Sequence, residues 1–322
     1  MSETTATPQK TPARANTIRS LADHWADVRP GAPALGPLDY GALRNAYSRE
    51  QKTGVVTTVD AGDPLVVLPR TLAGLADSAV VFSTRARVEK ASPGELLFPA
   101  LRKDGQKDLL RLPQDRLIAM AQALAKRYGF SQNDRLYVSG PFDDPGTWLA
   151  LVAAIYSGTY ISLDPEDASI VWILDGEIAP VDARTRILHL RAKPDTLSDV
   201  RRRHPEVTLV NGLALPEGGG LPICSDPRDP ARTVSTTLGR PLGGMEVMIV
   251  DPRTGMDMLL YETGEVWLRG RGLMAGYASG SNAFEAARFL PTGLFGYLDS
   301  EGRLVLSGKE ANPKASSAAR TV

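Results

Sequence analysis

The sequence predicts a layered α/β region followed by a small antiparallel β subdomain. Between residues 95 and 210, short apolar runs alternate with stretches of helical periodicity, and this alternation is typical of parallel α/β layers. After Arg240 the helical periodicity stops, and short strands are joined by tight turns at residues 252–255 and 299–302. We therefore expect two architectures in one chain.

The composition excludes several classes of protein. The chain has 322 residues with 37 basic and 37 acidic side chains, and this charge balance argues against nucleic acid as the main partner. The longest apolar run, residues 148–156, is much shorter than the roughly 20 residues that cross a bilayer, so we expect no membrane span. The single cysteine, Cys224, and three histidines cannot form a zinc cluster of standard spacing.

The N-terminal segment bears on location. Residues 1–17 are rich in Thr, Ala and Pro and predict a disordered tail, although they are formally compatible with an organellar transit peptide. No apolar secretory segment follows the first methionine, so a cytoplasmic location is the default expectation.

The first predicted elements lie between residues 17 and 94. A helix is predicted to open near Thr17, because the apolar residues that follow it repeat at helical spacing. Short apolar and β-branched runs between Gly, Asp and Pro residues then predict three strands, at 55–59, 65–68 and 80–82.

The clearest helix is predicted over residues 113–128. Pro113 suits its first turn and Gly129 its C-terminal stop. A strand is predicted before it at 95–98, and a polar loop is predicted between the two. The other elements predicted on the same grounds are strands at 136–138, 160–163, 186–190, 207–210, 245–250, 264–268 and 303–306, and helices at 147–156 and 196–203.

Three motifs follow one another in the second half of the chain. They read TLGRPLGGMEVMIVDPRTG from Thr237, GEVWLRGRGLMAGY from Gly264 and TGLFGYLDSEGRLVLSGKE from Thr292. Together they resemble the adenylate-forming superfamily, the acyl-CoA synthetases and the adenylation domains of peptide synthetases. Residues 95–163 resemble the segment of that family that carries the phosphate loop.

The resemblance implies an α/β fold that is an abbreviated form of the acyl-CoA-synthetase N-terminal part. It divides the chain into a disordered tail at 1–17, a reduced first lobe at 18–94, an adenylation-like subdomain at 95–236, an antiparallel β subdomain at 237–310 and a tail at 311–322. The segment 308–310 resembles the hinge to the family's C-terminal ligase domain, which is expected to be absent.

The family's chemistry, as the resemblance implies it, has two steps. A carboxylate attacks the α-phosphate of ATP, and a thiol such as coenzyme A then displaces AMP. The site requires a Gly/Ser/Thr-rich loop with a Lys for the phosphates, a carboxylate for magnesium and an Asp for the ribose.

Residues 99–107, PALRKDGQK, stand where the phosphate loop is expected. Only Gly105 and Lys107 match the family's pattern, and Asp104 adds a negative charge where phosphates would lie. Two interpretations stay open. The segment is either a divergent phosphate loop that uses Lys107 with the neighbouring basic side chains, or a solvated surface loop.

The adenine position and a phosphate-contacting position also depart from the family's pattern, whereas the magnesium position does not. Leu213 stands in place of an adenine-stacking aromatic residue, and Pro216 in place of a phosphate-contacting Thr. Glu217 is retained, either as a magnesium ligand or as a solvated glutamate. The adenine-flanking loop reads RAKP at residues 191–194, without its glycines.

The ribose position departs as well. Thr292 and Gly293 are retained as the candidate nucleotide contact, but Leu294 replaces the Asp and cannot accept hydrogen bonds from two hydroxyls.

Two functions, from different classes, remain. The first is an acyl-CoA-synthetase-like protein with a degenerate ATP site and no cofactor, which acts as a non-catalytic binding or scaffold partner in acyl or natural-product metabolism. The alternative is a residual ligase that works with a partner polypeptide, with ATP and magnesium bound by Lys107, Glu217 and Thr292. A decayed gene product is a third interpretation.

The expected partner is a protein: a full-length ligase, an acyl carrier protein or a second copy of this chain. The reason is that a reduced first lobe is expected to leave apolar sheet surface uncovered.

Overall fold

The computed structural model describes residues 17–50, 56–59, 62–82, 88, 91–174, 181–281, 283–285 and 288–307. Their helices are α1 Ile18–Val28, α2 Tyr40–Arg49, α3 Pro64–Gly74, α4 Gln114–Tyr128, α5 Pro145–Ser157, α6 Pro194–Arg203 and α7 Ala231–Thr236. Their strands are β1 Pro33–Leu35, β2 Leu38–Asp39, β3 Val56–Thr58, β4 Ala79–Val81, β5 Glu95–Leu101, β6 Lys107–Pro113, β7 Arg135–Ser139, β8 Tyr160–Ser162, β9 Ile170–Ile173, β10 Ile187–Leu190, β11 Thr208–Val210, β12 Gly212–Leu215, β13 Gly220–Cys224, β14 Arg240–Pro241, β15 Met245–Val250, β16 Gly264–Gly270, β17 Gly276–Tyr277, β18 Leu290–Leu298 and β19 Leu304–Leu306.

A seven-stranded sheet forms the centre of the α/β region. Its strand order is β11-β10-β9-β7-β8-β1-β2, and all neighbours are parallel except β1 and β2. Helix α5 packs on this sheet and is buried at every residue except Tyr156. Such complete burial explains why its sequence is apolar on all sides rather than on one stripe.

A five-stranded sheet has the order β17-β6-β5-β4-β3. Strands β3, β4 and β5 are parallel, whereas β5 and β6 form an antiparallel hairpin. The predicted division at residue 94 therefore does not separate one sheet from another.

Antiparallel strands are present after Arg240, as predicted, and a second antiparallel sheet begins earlier, at Gly212. Strands β12-β13-β14 form one antiparallel sheet and β15-β16-β18-β19 another. Both predicted tight turns close with backbone hydrogen bonds, from Gly255 N to Asp251 O and from Gly302 N to Asp299 O.

Two predicted helices have the expected ends. Thr17 caps α1, because its hydroxyl accepts a hydrogen bond from Ser20 N. Gly129 ends α4 with φ +64°, in the left-handed region that favours glycine.

The strand predicted at 65–68 is wrong. These residues belong to α3, which begins at Pro64 and is capped by the carboxylate of Asp63 on Leu65 N, at 2.8 Å. A four-residue apolar run does not distinguish a strand from a buried helical turn, and the Asp-Pro pair in front of it decides for a helix.

The polar loop predicted after residue 98 is also wrong. Strand β5 continues to Leu101, and β6 returns from Lys107 as its antiparallel partner. Only a short turn separates the two strands.

The uncovered sheet surface that the sequence leads us to expect stays a prediction. The neighbouring strands β9 and β10 of the large sheet are buried throughout, whereas the middle strand β7 is fully buried only at Leu136. The apolar side chains with the highest exposed fractions, Met256 and Leu259, lie in a loop of the β subdomain. Among the helices that the structure describes, none is long and apolar enough to cross a membrane.

Candidate functional site

The carboxyl ends of the parallel strands define the edge where open α/β sheets bind ligands. At this edge Arg191, just past β10, lies 3.5 Å from Asp144 Oδ2. The other oxygen of Asp144 caps α5 by accepting a hydrogen bond of 2.7 Å from Gly146 N. Burial raises the pKa of Asp144, and the neighbouring positive charge of Arg191 opposes the rise. The predicted adenine-flanking segment thus begins with an ion pair.

The three-stranded sheet lies against this edge. Gly220 has φ +97°, and a Cβ at this position would lie 2.7 Å from Gly146 Cα. This close approach places the short 3₁₀ turn Pro216–Gly218 beside the first turn of α5. It is how Glu217 reaches the same edge as the Asp144–Arg191 pair.

Glu217 is half-buried and has a defined partner. The hydroxyl of Tyr277 donates to Glu217 Oε1 at 3.1 Å. Burial raises the pKa of the Glu217 carboxyl, while the hydrogen bonds that it accepts and the charge of Lys103 act against the rise. Within the described residues, no three His, Cys, Asp or Glu side chains are grouped to hold a metal ion. Glu217 is therefore not part of a preformed cluster of metal ligands in the described residues.

The turn at residues 102–106 stands at the predicted phosphate position. Arg102 N donates to Gln106 O and Gly105 N to Arg102 O, both at 2.9 Å. Gln106 N donates to Asp104 Oδ1 at 3.1 Å. Three of the five backbone amides in the turn are therefore already paired inside it.

The basic side chains of this turn are also paired. Arg102 contacts the carboxylates of Asp104, at 2.5 Å, and Asp108, at 3.5 Å. Lys103 Nζ lies 3.4 Å from Glu265 Oε1. Carboxylates thus neutralise the charges that a phosphate would need.

Lys107 and Lys103 occupy different places. Lys107 begins β6 opposite Leu101 and is exposed. Lys103 reaches the β subdomain, since its Nζ lies 4.0 Å from the position that a Cβ on Gly293 would take. The structure therefore brings Lys103, rather than the predicted Lys107, to the Thr292–Gly293 segment.

The hydroxyl of Thr292 is hydrogen-bonded within its own sheet. Its hydroxyl donates to Val266 O at 2.7 Å and accepts from Leu294 N at 3.1 Å. Gly293 N donates to Glu265 Oε1 at 2.8 Å, so Glu265 joins this segment to Lys103. Leu294 packs against the apolar core.

Sequence reasoning missed two of these residues. Tyr277 closes the motif GEVWLRGRGLMAGY, but no local pattern reveals that it meets Glu217, 60 residues earlier. Asp144 stands directly before Pro145, which is a helix-start signal that the sequence does offer. Its pairing with Arg191 spans 47 residues and has no local signal.

Comparison with known proteins identifies the family that part of the chain resembles. Residues 191–278 match the family described as AMP-binding enzyme. The resemblance to the adenylate-forming superfamily is confirmed. This adenylate-forming match covers part of the chain, and it includes both Arg191 and Glu217.

Two curated relatives are CoA ligases. Peroxisomal OPC-8:0-CoA ligase 1 of Arabidopsis thaliana is 34% identical over 104 residues, which are 31% of this chain and 19% of the relative. Probable CoA ligase CCL5 of Humulus lupulus is 34% identical over 103 residues, which are 31% of this chain and 18% of the relative. The chain thus spans about a fifth of the length of the curated relatives that it matches.

Solved structures extend the likeness to most of the fold. VinN superposes with a TM-score of 0.73 over 91% of this chain and 98% of its own, at 15% identity. A long-chain-fatty-acid-CoA ligase from Archaeoglobus fulgidus has a TM-score of 0.72 over 95% of this chain and 86% of its own, at 12% identity. At these identities the likeness shows that the fold is that of acyl-CoA-synthetase-like proteins.

Proposed function

We propose that this acyl-CoA-ligase-like chain acts as a non-catalytic binding partner in acyl metabolism and does not activate a carboxylate with ATP. One observation carries the proposal: the amides of Arg102, Gly105 and Gln106 are paired within their own turn. A phosphate cradle requires backbone amides that converge on the ligand, and this turn offers few that are free.

The other nucleotide positions support the same proposal. Leu294 offers no acceptor to a ribose, and the Thr292 hydroxyl is held by Val266 O. Glu217 is a single carboxylate that Tyr277 already contacts. The residues present therefore do not fit ATP and magnesium.

A residual ligase, completed by a second polypeptide, is the competing function. It would require the turn at residues 102–106 to break three hydrogen bonds and to separate Arg102 and Lys103 from their carboxylates. No contact in the described residues favours that change. The proposal includes a cytoplasmic location and a protein partner.

Titration calorimetry with ATP and magnesium tests the proposal. We expect no binding tighter than a Kd of about 100 μM, which corresponds to roughly −5.5 kcal/mol. A complete CoA ligase, titrated in parallel, is the positive control. Binding tighter than this limit that Glu217→Gln weakens would overturn the proposal in favour of the ligase.

Pyrophosphate exchange provides the catalytic readout. With fatty and aryl acids, and with a full-length homologue present to supply missing groups, this chain should add nothing to the exchange rate of the homologue alone. An increase that Lys103→Ala or Glu217→Gln abolishes would show that the chain takes part in adenylation.

A further inference from the structure

Several exposed apolar side chains lie close together in sequence in the loop between β15 and β16. Met256 is 69% exposed, Leu259 74%, Leu260 55% and Tyr261 59%; we call these four residues the apolar loop. The other large apolar side chains exposed in the described part of the chain stand singly in sequence: Val28, Val66, Leu101 and Leu163. Single exposed apolar residues are ordinary, whereas a cluster of this kind marks an interaction surface.

Backbone hydrogen bonds hold the ends of the apolar loop in place. Asp251 N donates to Met256 O at 2.9 Å, and Met258 N donates to Ile249 O at 2.8 Å. Leu259 N donates to Glu262 Oε2 at 3.0 Å. The four apolar side chains are therefore presented outward from a fixed backbone.

Tyr261 adds a further anchor. Its φ of +65° lies in the left-handed region, which is unfavourable for a non-glycine residue. Its amide donates to Leu298 O at 2.9 Å, and its hydroxyl contacts Ser300 Oγ, also at 2.9 Å. A preorganised surface loses little conformational entropy when a partner binds.

The charges around the apolar loop are mainly negative. Asp257 and Glu262 are exposed within it, and neither forms an ion pair with another described residue. Glu301 follows Ser300, the residue that Tyr261 contacts, but its carboxylate is paired with Arg240 at 3.2 Å and with Arg303 at 3.7 Å, so the unpaired negative charge comes from Asp257 and Glu262. The nearest basic residue in sequence, Arg253, is paired with Asp251 at 3.6 Å.

We propose that the apolar loop is a docking site for a segment of a partner protein that carries apolar side chains with a basic rim. Two copies paired about a twofold axis would bring the acidic rims together, which is unfavourable. An anionic membrane surface would repel the same rim. A short apolar segment with lysine or arginine beside it satisfies both the apolar centre and the acidic rim.

The docking segment belongs to the partner of the proposed binding function, and in this the proposal rests on that function. Its test involves no nucleotide. Peptide binding and ATP binding are measured separately, so a failure of the docking site can be distinguished from a failure of the proposed function.

A designed peptide pair tests the docking site. The probe is an 18-residue helix-forming peptide with leucine on one face and lysine on the flanks, and its counterpart has glutamate in place of every lysine. Fluorescence anisotropy should show that the full chain binds the lysine peptide at least tenfold more tightly than the glutamate peptide. Equal binding of the two peptides would overturn the proposal.

Three variants localise the binding. Leu259→Ser should weaken binding of the lysine peptide at least tenfold, whereas Val66→Ser, an exposed apolar residue on α3, should leave it unchanged. Asp257→Lys should weaken the lysine peptide and strengthen the glutamate peptide. Far-UV circular dichroism and thermal melting should be the same for all variants, because each side chain is exposed.

Two results would identify a different occupant. A dimer in sedimentation velocity that Leu259→Ser dissociates would assign the apolar loop to a second copy of this chain. Flotation with phosphatidylcholine vesicles that Leu259→Ser abolishes would assign it to a membrane. Either result would overturn the proposed protein partner.

Discussion

The imidazole of His189 stacks on the indole of Trp172, with ring centroids 3.8 Å apart and ring planes 12° from parallel. Its Nδ1 lies 3.1 Å from the Tyr128 hydroxyl. Burial lowers the pKa of His189 to about 3, and the charge of Arg191 acts in the same direction. The folded chain therefore keeps this imidazole neutral over a range of pH in which the unfolded chain binds a proton.

This pair predicts acid sensitivity. The unfolded chain takes up a proton at His189 below about pH 6.5 and the folded chain does not, so stability should fall as the pH decreases from 6.5 towards 3. The slope from this one group approaches about 1.4 kcal/mol per pH unit. His189→Phe, which keeps an aromatic ring on Trp172, should remove this slope in urea unfolding at pH 7, 6 and 5. His204→Gln, at a partly exposed site, should retain it. If both variants have the wild-type slope, His189 is not the responsible group.

Two glycines that end helices offer a matched comparison of close packing. Gly158 ends α5 with φ +69°, and a Cβ there would lie 2.9 Å from the Trp25 ring. Gly129 ends α4 with φ +64°, and a Cβ there would meet nothing within 4 Å. Both alanine variants carry the left-handed strain of about 1–2 kcal/mol, but Gly158→Ala adds an overpacking cost of about 1–3 kcal/mol.

The difference is measured by thermal or urea unfolding. Trp25 cannot move aside easily, because its Nε1 donates to Ile155 O at 2.7 Å. Equal losses in the two variants would show that α1 shifts away from α5 without cost.

Cys224 is expected to be chemically inert in the folded chain. It is fully buried, and burial raises its thiol pKa although Arg127 lies beside it. Thiolate is the reactive form, so Ellman's reagent should modify Cys224 only as fast as the chain unfolds. The same protein in 6 M guanidinium, where one thiol should react at once, is the control. Rapid modification without denaturant would contradict the buried position.

Restoring an acidic residue at position 294 should not restore nucleotide binding. Leu294→Asp supplies ribose acceptors, but the paired amides of Arg102 and Gly105 remain unavailable to phosphate. Calorimetry should show no ATP binding, and unfolding should show a loss of about 1–3 kcal/mol for a carboxylate at a partly apolar site. Leu306→Asp, on the neighbouring strand β19, controls for the added charge. ATP binding by Leu294→Asp alone would show that the turn is not the obstacle.

Local patterns predicted the elements whose determinants lie within one turn or strand. Helix α4 is predictable because the apolar repeat lies inside it and Gly129 directly follows its last residue. Helix α3 is not predictable from residues 65–68 alone, because that apolar run fits either periodicity; the cap at Asp63 is the feature that distinguishes a helix.

The candidate site was less predictable than the fold, because its contacts join distant segments. The motif positions located Glu217 and the turn at residues 102–106, but not their partners. Whether Lys103 or Lys107 faces Gly293 depends on the register of a hairpin that was predicted as a loop. The pair Asp144–Arg191 depends on the order of strands in the sheet, which a single sequence does not encode locally.

Because α5 is buried, it is expected to be among the last parts of the chain to unfold. This helix packs against α1 and α4, and against strands of two different sheets. Its amide protons can exchange with solvent only when those contacts are lost together, so they should be among the slowest in native-state hydrogen exchange. The seven-stranded sheet and the three-stranded sheet are accordingly expected to unfold as one cooperative unit, and a proteolytic cut within α5 should unfold both sheets.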